Sequence, residues 1–143
     1  MSAARLYTPE LLGLAVELAR HPPLQQASAR GEARSPTCGS TIAMDLGLDP
    51  AGWIEQLGLR VHACAVGQAA AAIFARHALG HHAGDIGDML RQLEAWLAGE
   101  GERPGWPDLS LIEAARDYPG RHGAILLPWR AALAALSSEA PAR

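Results

Sequence analysis

The sequence predicts an α+β fold, because one helical pattern is followed by short extended segments and then by several further helical patterns. Two of the extended segments alternate apolar and polar residues with a period of two. The segments before and after them repeat apolar residues every three or four positions, as amphipathic helices do. A chain of 143 residues suits one compact domain, so we expect a single domain over residues 1–143.

The first helix is predicted to begin at Pro9. Thr8 can cap it, and proline is favoured in the first helical turn. Its apolar stripe consists of Leu11, Leu14, Ala15 and Leu18. The sequence His21-Pro22-Pro23 ends the helix, because proline cannot continue it. A weakly patterned segment over 26–34 follows, and we interpret it as extended.

The next two segments predict an antiparallel hairpin. Residues 41–48 alternate apolar and polar side chains, and the Asp49-Pro50-Ala51-Gly52 stretch is typical of a turn. The second strand places Leu57, Leu59 and Val61 on one face. Cys38 precedes the first strand and Cys64 follows the second. Antiparallel pairing would therefore bring the two cysteines to the same end of the hairpin.

Two helical patterns come after the hairpin. The first runs from Ala65 to a stop at Gly80, and the second runs from Gly84 to a stop at Gly99. Both carry apolar residues at helical spacing, so we expect both to contribute to the core.

The last third of the chain predicts a short helix and a long one. Ser110 and Glu113 have the spacing of a capping box for a helix that ends near Arg116. The Tyr118-Pro119-Gly120 sequence interrupts it. We expect the final helix to begin close to Pro128, because a proline inside a helix costs about 3 kcal/mol.

Composition excludes several classes of function. All 12 basic residues are arginine, so mechanisms that need a lysine are excluded, and 15 acidic residues leave a net charge of −3. With no basic tract, nucleic acid is not expected as a partner. No apolar run suggests a membrane span, and residues 1–5 do not resemble the start of a secretory signal. Two cysteines are too few for a disulfide framework, so we expect reduced thiols and a cytoplasmic location.

Three short motifs carry a resemblance to a known family. They are Pro36-Thr37-Cys38-Gly39-Ser40, His62-Ala63-Cys64-Ala65, and the stretch from Tyr118 to Trp129 that reads Tyr-Pro-Gly-Arg-His-Gly-Ala-Ile-Leu-Leu-Pro-Trp. In this order they resemble the iron–sulfur cluster scaffold family, which includes IscU, SufU and the N-terminal domain of NifU. The resemblance runs from about Tyr7 to about Leu136. It implies a small three-stranded antiparallel sheet with helices packed on one face.

The resemblance also assigns the cysteines. It implies that Cys38 matches the first family cysteine and Cys64 the second. Ser40 stands where the family has the aspartate of a Cys-Gly-Asp turn. The third family cysteine is missing, and two alignments of the last motif remain open. In one, Ala124 takes its place, at the expected mouth of the site; in the other, Gly123 takes it and His122 matches the family histidine.

These residues leave several ligand sets open. A zinc ion or an iron–sulfur cluster ordinarily needs four thiolate, imidazole or carboxylate ligands. His62 precedes Cys64 by two residues on a predicted strand, so both side chains can leave the same face. With His122 from the last helix, Cys38, Cys64 and His62 would form a metal site of two cysteines and two histidines. A homodimer that shares a cluster through two thiols per subunit is the alternative.

The resemblance implies an iron–sulfur cluster assembly scaffold-like protein rather than an enzyme. It would bind a cluster or zinc, or accept sulfur, at Cys38 and Cys64. Its partners would be a cysteine desulfurase and the apo iron–sulfur proteins or carriers that receive the product. The alternative is a degenerate interaction module that keeps the fold and binds no cofactor. A cysteine hydrolase is disfavoured, because the chain contains no asparagine to orient a catalytic histidine.

Overall fold

The computed structural model describes residues 6–138. In chain order, its elements are α1 (Pro9–Glu17), β1 (Ala29–Arg34), β2 (Thr41–Leu48), β3 (Ile54–His62), α2 (Ala65–His77), α3 (Ala83–Leu97) and α4 (His122–Ser138). Short 3₁₀ segments cover Leu18–Arg20, Leu109–Asp117 and Pro119–Arg121. Within residues 6–138, no helix combines the length and apolarity needed to cross a membrane.

The three strands form one antiparallel sheet in the order β1-β2-β3. Both predicted hairpin strands are present, and Thr41 pairs with His62 at one end of the hairpin. The weakly patterned segment becomes β1, with Ala33 opposite Ile42. The predicted α+β class and the three-stranded antiparallel sheet are therefore confirmed.

The helices pack against the apolar face of the sheet. β2 directs Ile42, Met44 and Leu46 into the core, where each is at most 2% exposed. Helix α4 lies directly over β1, at a separation that only glycine allows. A Cβ on Gly31 would lie 2.2 Å from the backbone nitrogen of Ala135. This close approach explains why β1 carries so little apolar patterning of its own.

The opposite face of the sheet is polar and partly covered by the chain that follows α1. A Cβ on Gly58 would lie 2.5 Å from the carbonyl oxygen of Pro22, so this segment lies directly on β3. The Asp45 carboxylate is 5% exposed as a residue and accepts hydrogen bonds from the Leu24 nitrogen at 3.1 Å and the Arg30 Nε at 3.2 Å. These contacts satisfy the one buried carboxylate of β2.

The predicted start of α1 is confirmed. The Thr8 hydroxyl accepts a hydrogen bond from the Leu11 nitrogen at 3.1 Å, and Pro9 is the first helical residue. Helix α3 begins within one residue of its predicted start, and its cap is the imidazole of His82. The His82 Nδ1 accepts a hydrogen bond from the Gly84 nitrogen at 3.0 Å.

Two sequence predictions about the last third of the chain are wrong. Helix α4 begins at His122, so Pro128 lies inside the helix instead of in its first turn. The predicted capping box also fails, because Asp108 is the residue that precedes the 3₁₀ segment, and the Glu113 carboxylate pairs with Arg103. A 3₁₀ segment spans 109–117 in place of the predicted short α-helix.

Candidate functional site

Both cysteines lie at one end of the sheet. The pairing of Thr41 with His62 fixes that end. Cys38 lies in the loop that enters β2 three residues before Thr41, and Cys64 is the residue that precedes α2, two positions after His62. The register therefore places at the same end of the sheet two thiols that are separated by 26 positions in the sequence.

The Cys38 loop is a tight turn between β1 and β2. The Ser35 nitrogen donates to the Ser40 carbonyl oxygen at 2.8 Å, and the Gly39 nitrogen donates to the Ser35 carbonyl oxygen at 2.8 Å. Gly39 has a φ of +73°, a conformation that glycine adopts without strain. This closed turn presents Cys38 to solvent, while the residues at its base are buried.

Two buried serines surround the Cys38 thiol. Ser35 is 0% exposed and Ser40 is 5% exposed. The Cys38 Sγ donates to the Ser40 Oγ at 3.0 Å, and as a thiolate the sulfur would accept from serine hydroxyls instead. The pKa of Cys38 is lowered, chiefly by hydrogen bonds from the Ser35 hydroxyl and from the side chain and backbone of Ser40, with a smaller effect of the Arg121 charge. The loop therefore favours a thiolate.

Arg121 connects the two thiols electrostatically. Its Nη2 donates to the Tyr7 hydroxyl at 3.1 Å. The pKa of Arg121 is raised, first by this hydrogen bond and further by the charges of Cys64 and Cys38. Its Nε is shielded from solvent and has no hydrogen-bond acceptor among residues 6–138. The guanidinium thus carries one unused donor at the end of the sheet where both thiols lie.

The first turn of α4 lies between the two cysteine-bearing segments. A Cβ on Gly123 would lie 2.4 Å from the Ser35 Oγ, so this position faces the Cys38 loop. The Ala124 Cβ instead lies 3.2 Å from the position that a Cβ on Gly67 of α2 would occupy, and Ala124 is 0% exposed. Ala124 therefore lies in the first turn of α4, as expected, but it is buried against the start of α2 instead of facing the Cys38 loop. Gly123 is the position that faces the loop, and Ser35 occupies the space that a side chain there would need.

The two candidate histidines do not join the thiols in a metal site. Strand β3 ends at His62, so Cys64 is not part of the strand. The prediction that the two side chains leave the same face of a strand therefore does not apply. His62 is exposed, whereas Cys64 packs against the core. The His122 Nε2 donates to the Arg116 carbonyl oxygen at 2.7 Å. Across the part of the chain that the structure describes, no three histidine, cysteine or carboxylate side chains are grouped so as to hold a metal ion.

Sequence reasoning missed two groups of this site. Ser35 and Arg121 were not singled out, although Ser35 directly precedes the first motif and Arg121 lies inside the third. Nothing in local periodicity distinguishes a buried serine at the base of a turn from an exposed one. Arg121 carried a detectable signal, because it precedes a histidine in the motif that begins at Tyr118.

Solved structures share this arrangement of elements over nearly the whole chain. A nitrogen-fixing NifU-like protein (N-terminal) from Brucella abortus superposes with a TM-score of 0.85 at 27% identity, covering 95% of each chain. The predicted resemblance to the iron–sulfur scaffold family is confirmed. A protein from Fervidobacterium islandicum AW-1, described as an iron–sulfur cluster assembly scaffold for the SUF system, has the same fold. Its TM-score is 0.80 at 20% identity, covering 94% of this chain and 99% of that one. No protein-family profile and no curated protein matches the sequence.

The residues present do not fit a resident metal or cluster as the family pattern would hold it. The chain lacks the third cysteine, and neither of the two positions that could match it, Gly123 or Ala124, supplies a ligand. A serine hydroxyl at position 40 is a poor metal ligand compared with the carboxylate of the family pattern. The arrangement of donors is instead suited to one anionic sulfur atom on Cys38.

Proposed function

We propose that this protein acts as a scaffold-like sulfur acceptor in iron–sulfur cluster assembly, with Cys38 as the acceptor thiol. The main support is the environment of Cys38: an exposed sulfur at the tip of a turn, with two buried serines at its base. Such an environment stabilises a thiolate and leaves it open to another protein. The scaffold fold supports a role in cluster assembly without catalytic turnover.

The proposed reaction is transfer of a sulfane sulfur from a cysteine desulfurase. The Cys38 thiolate attacks the terminal sulfur of a persulfide on the donor. A new sulfur–sulfur bond forms on Cys38 as the donor's own sulfur–sulfur bond breaks, and the donor cysteine leaves as a thiolate. The resulting persulfide is anionic. Serine hydroxyls of the turn can donate to it, and the unused Nε of Arg121 can supply a further donor.

The recipients in this proposal are apo iron–sulfur proteins or carrier proteins. The cysteine desulfurase and the recipient both need access to Cys38, which its exposed position in the turn supports. We place the protein in the cytoplasm, where thiols stay reduced. We also propose that residues 1–143 form one domain.

A sulfur-loading assay tests the proposal. The full chain is incubated with L-cysteine and the cysteine desulfurase of the same organism, and persulfides are mapped by alkylation and mass spectrometry. We expect one additional sulfur on Cys38 in Cys64→Ser, and none on that peptide in the variant that also carries Cys38→Ser. Alanine production verifies that the desulfurase is active in every sample.

Two outcomes would contradict sulfur acceptance. An unloaded Cys64→Ser variant beside an active desulfurase would favour the interaction module that keeps the fold and binds no cofactor. Zinc or iron near one equivalent in the untagged protein, lost when both cysteines become serine, would favour a metal site made by Cys38 and Cys64. Elemental analysis of the purified chain and of the double variant distinguishes these cases.

A further inference from the structure

The proposed sulfur acceptance at Cys38 assigns no role to Cys64, the second thiol of the site. Cys64 is partly buried, packs against the core and occupies the residue that caps the 13-residue helix α2. Its side chain makes no capping hydrogen bond, so the thiol is not needed to start the helix. The metal role that would explain it lacks a third ligand among residues 6–138.

Both thiols lie at the same end of the sheet, where Thr41 pairs with His62. Gly123, in the first turn of α4, faces the Cys38 loop without a side chain, and Ala124 presents a methyl group to the start of α2. Arg121, which precedes this turn, interacts electrostatically with both sulfurs. A disulfide requires Cα atoms within about 7 Å of each other. A disulfide between these thiols therefore requires the Cys38 loop and the start of α2 to approach within that distance.

We propose that Cys64 is a resolving cysteine, which releases the sulfur carried by Cys38 as hydrosulfide. This inference rests on the proposed function, since it acts on the Cys38 persulfide. The Cys64 thiolate attacks the Cys38 Sγ, the bond between that Sγ and the terminal sulfur breaks, and a Cys38–Cys64 disulfide forms. The sulfane sulfur is reduced to sulfide, takes one proton and leaves as HS⁻, while the two cysteine sulfurs are oxidised.

The cycle needs a reductant. A dithiol protein or small dithiol attacks the Cys38–Cys64 disulfide and returns both cysteines to thiols, becoming a disulfide itself. The exposed Cys38 sulfur is the accessible point of attack, because Cys64 is partly buried. The protein would then supply inorganic sulfide, the form of sulfur that a cluster requires, without holding the cluster.

Direct chemical loading tests the resolving role without a desulfurase. The purified full chain is treated briefly with sodium tetrasulfide at low protein concentration, desalted, and followed by intact mass and by methylene-blue detection of sulfide. We expect the wild type to release sulfide and become two hydrogens lighter as a monomer. Cys64→Ser should keep one extra sulfur on Cys38 and release sulfide at least about tenfold more slowly.

The outcomes separate this inference from sulfur acceptance itself. A wild type that keeps its extra sulfur as long as Cys64→Ser does, with no Cys38–Cys64 disulfide by peptide mapping, overturns the resolving role and leaves acceptance intact. A Cys38 that takes sulfur neither from tetrasulfide nor from the desulfurase overturns both. Cys64→Ala, which removes the hydroxyl of the serine variant, should behave as Cys64→Ser does. Circular dichroism of each variant verifies its fold.

Discussion

The acidity of Cys38 should fall when a carboxylate replaces the hydroxyl at position 40. The Cys38 Sγ lies 3.0 Å from the Ser40 Oγ, so the carboxylate of Ser40→Asp would lie at about 4 Å from the sulfur. Two negative charges at that distance repel by about 1 kcal/mol in a water-like medium, the relevant medium for an exposed thiol. This corresponds to an acid dissociation constant about fivefold smaller, before the loss of the serine donor is added.

The assay is the rate of alkylation by iodoacetamide as a function of pH, in a Cys64→Ser background that leaves one thiol. We expect the profile of Ser40→Asp to move to higher pH, because like charge opposes the thiolate. Ser40→Ala should move in the same direction by less, since it removes a donor without adding charge. Gln56→Glu is the matched control, because it adds the same charge at the opposite end of the sheet.

An unchanged profile in Ser40→Asp would refute the reasoning. It would mean that the hydroxyl groups of the turn do not set the acidity of Cys38. A shift of equal size in Gln56→Glu would attribute the effect to net charge instead of to the neighbouring group. Circular dichroism distinguishes either result from loss of the turn, because Ser40 is buried.

Three further experiments test the site and the fold. Gly123→Cys combined with Ser35→Ala should bind zinc at least about tenfold more tightly than Ser35→Ala alone, measured by competition with a coloured chelator, because it adds a thiolate facing the Cys38 loop. Gly31→Ala should lower the free energy of unfolding by about 3 kcal/mol or more in urea titrations, since its Cβ would lie 2.2 Å from a backbone nitrogen of α4. The pKa of Glu17 is lowered, chiefly by its hydrogen bond with Arg76, so this stabilisation is present above its ordinary pKa of 4.5 and is lost as pH falls below it. Arg76→Gln should therefore lower stability at pH 7 more than at pH 3 in thermal melts.

The sequence was most informative where a single local interaction sets the structure. The period of two over 41–48 predicted β2 with its exact bounds, because alternate side chains of that strand face the core and the other side of the sheet. Thr8 and Pro9 predicted the start of α1, because a cap involves only adjacent residues. The location of both cysteines at one end of the sheet followed from strand direction alone.

Local rules failed where distant parts of the chain compete for the same residue. Glu113 has the spacing of a capping box, yet its carboxylate pairs with Arg103 ten residues earlier. Pro128 was expected at a helix start, yet α4 begins six residues before it. An interior proline is tolerated there because this helix is held by packing against the sheet, and that packing cannot be read from its own sequence.

The choice between Gly123 and Ala124 needed three-dimensional information. Both are small residues at the start of one helix, and adjacent helical positions point about 100° apart. Only the neighbours distinguish them: Ser35 beside the first and Gly67 beside the second. A buried serine opposite a glycine leaves no periodic trace in a sequence, so the position that faces the Cys38 loop could not be predicted.

The departures from the family pattern all make the charge around Cys38 less negative. A divalent cation is stabilised by negative ligands, and the family pattern supplies a third cysteine and an aspartate near the first cysteine. Here neither Gly123 nor Ala124 provides a thiolate, and Ser40 provides a neutral hydroxyl. Both changes make the surroundings of Cys38 less negative, which opposes a bound cation and stabilises an anionic sulfur. The proposed sulfur acceptance therefore predicts that the affinity for zinc rises when negative charge is restored at position 123 or 40.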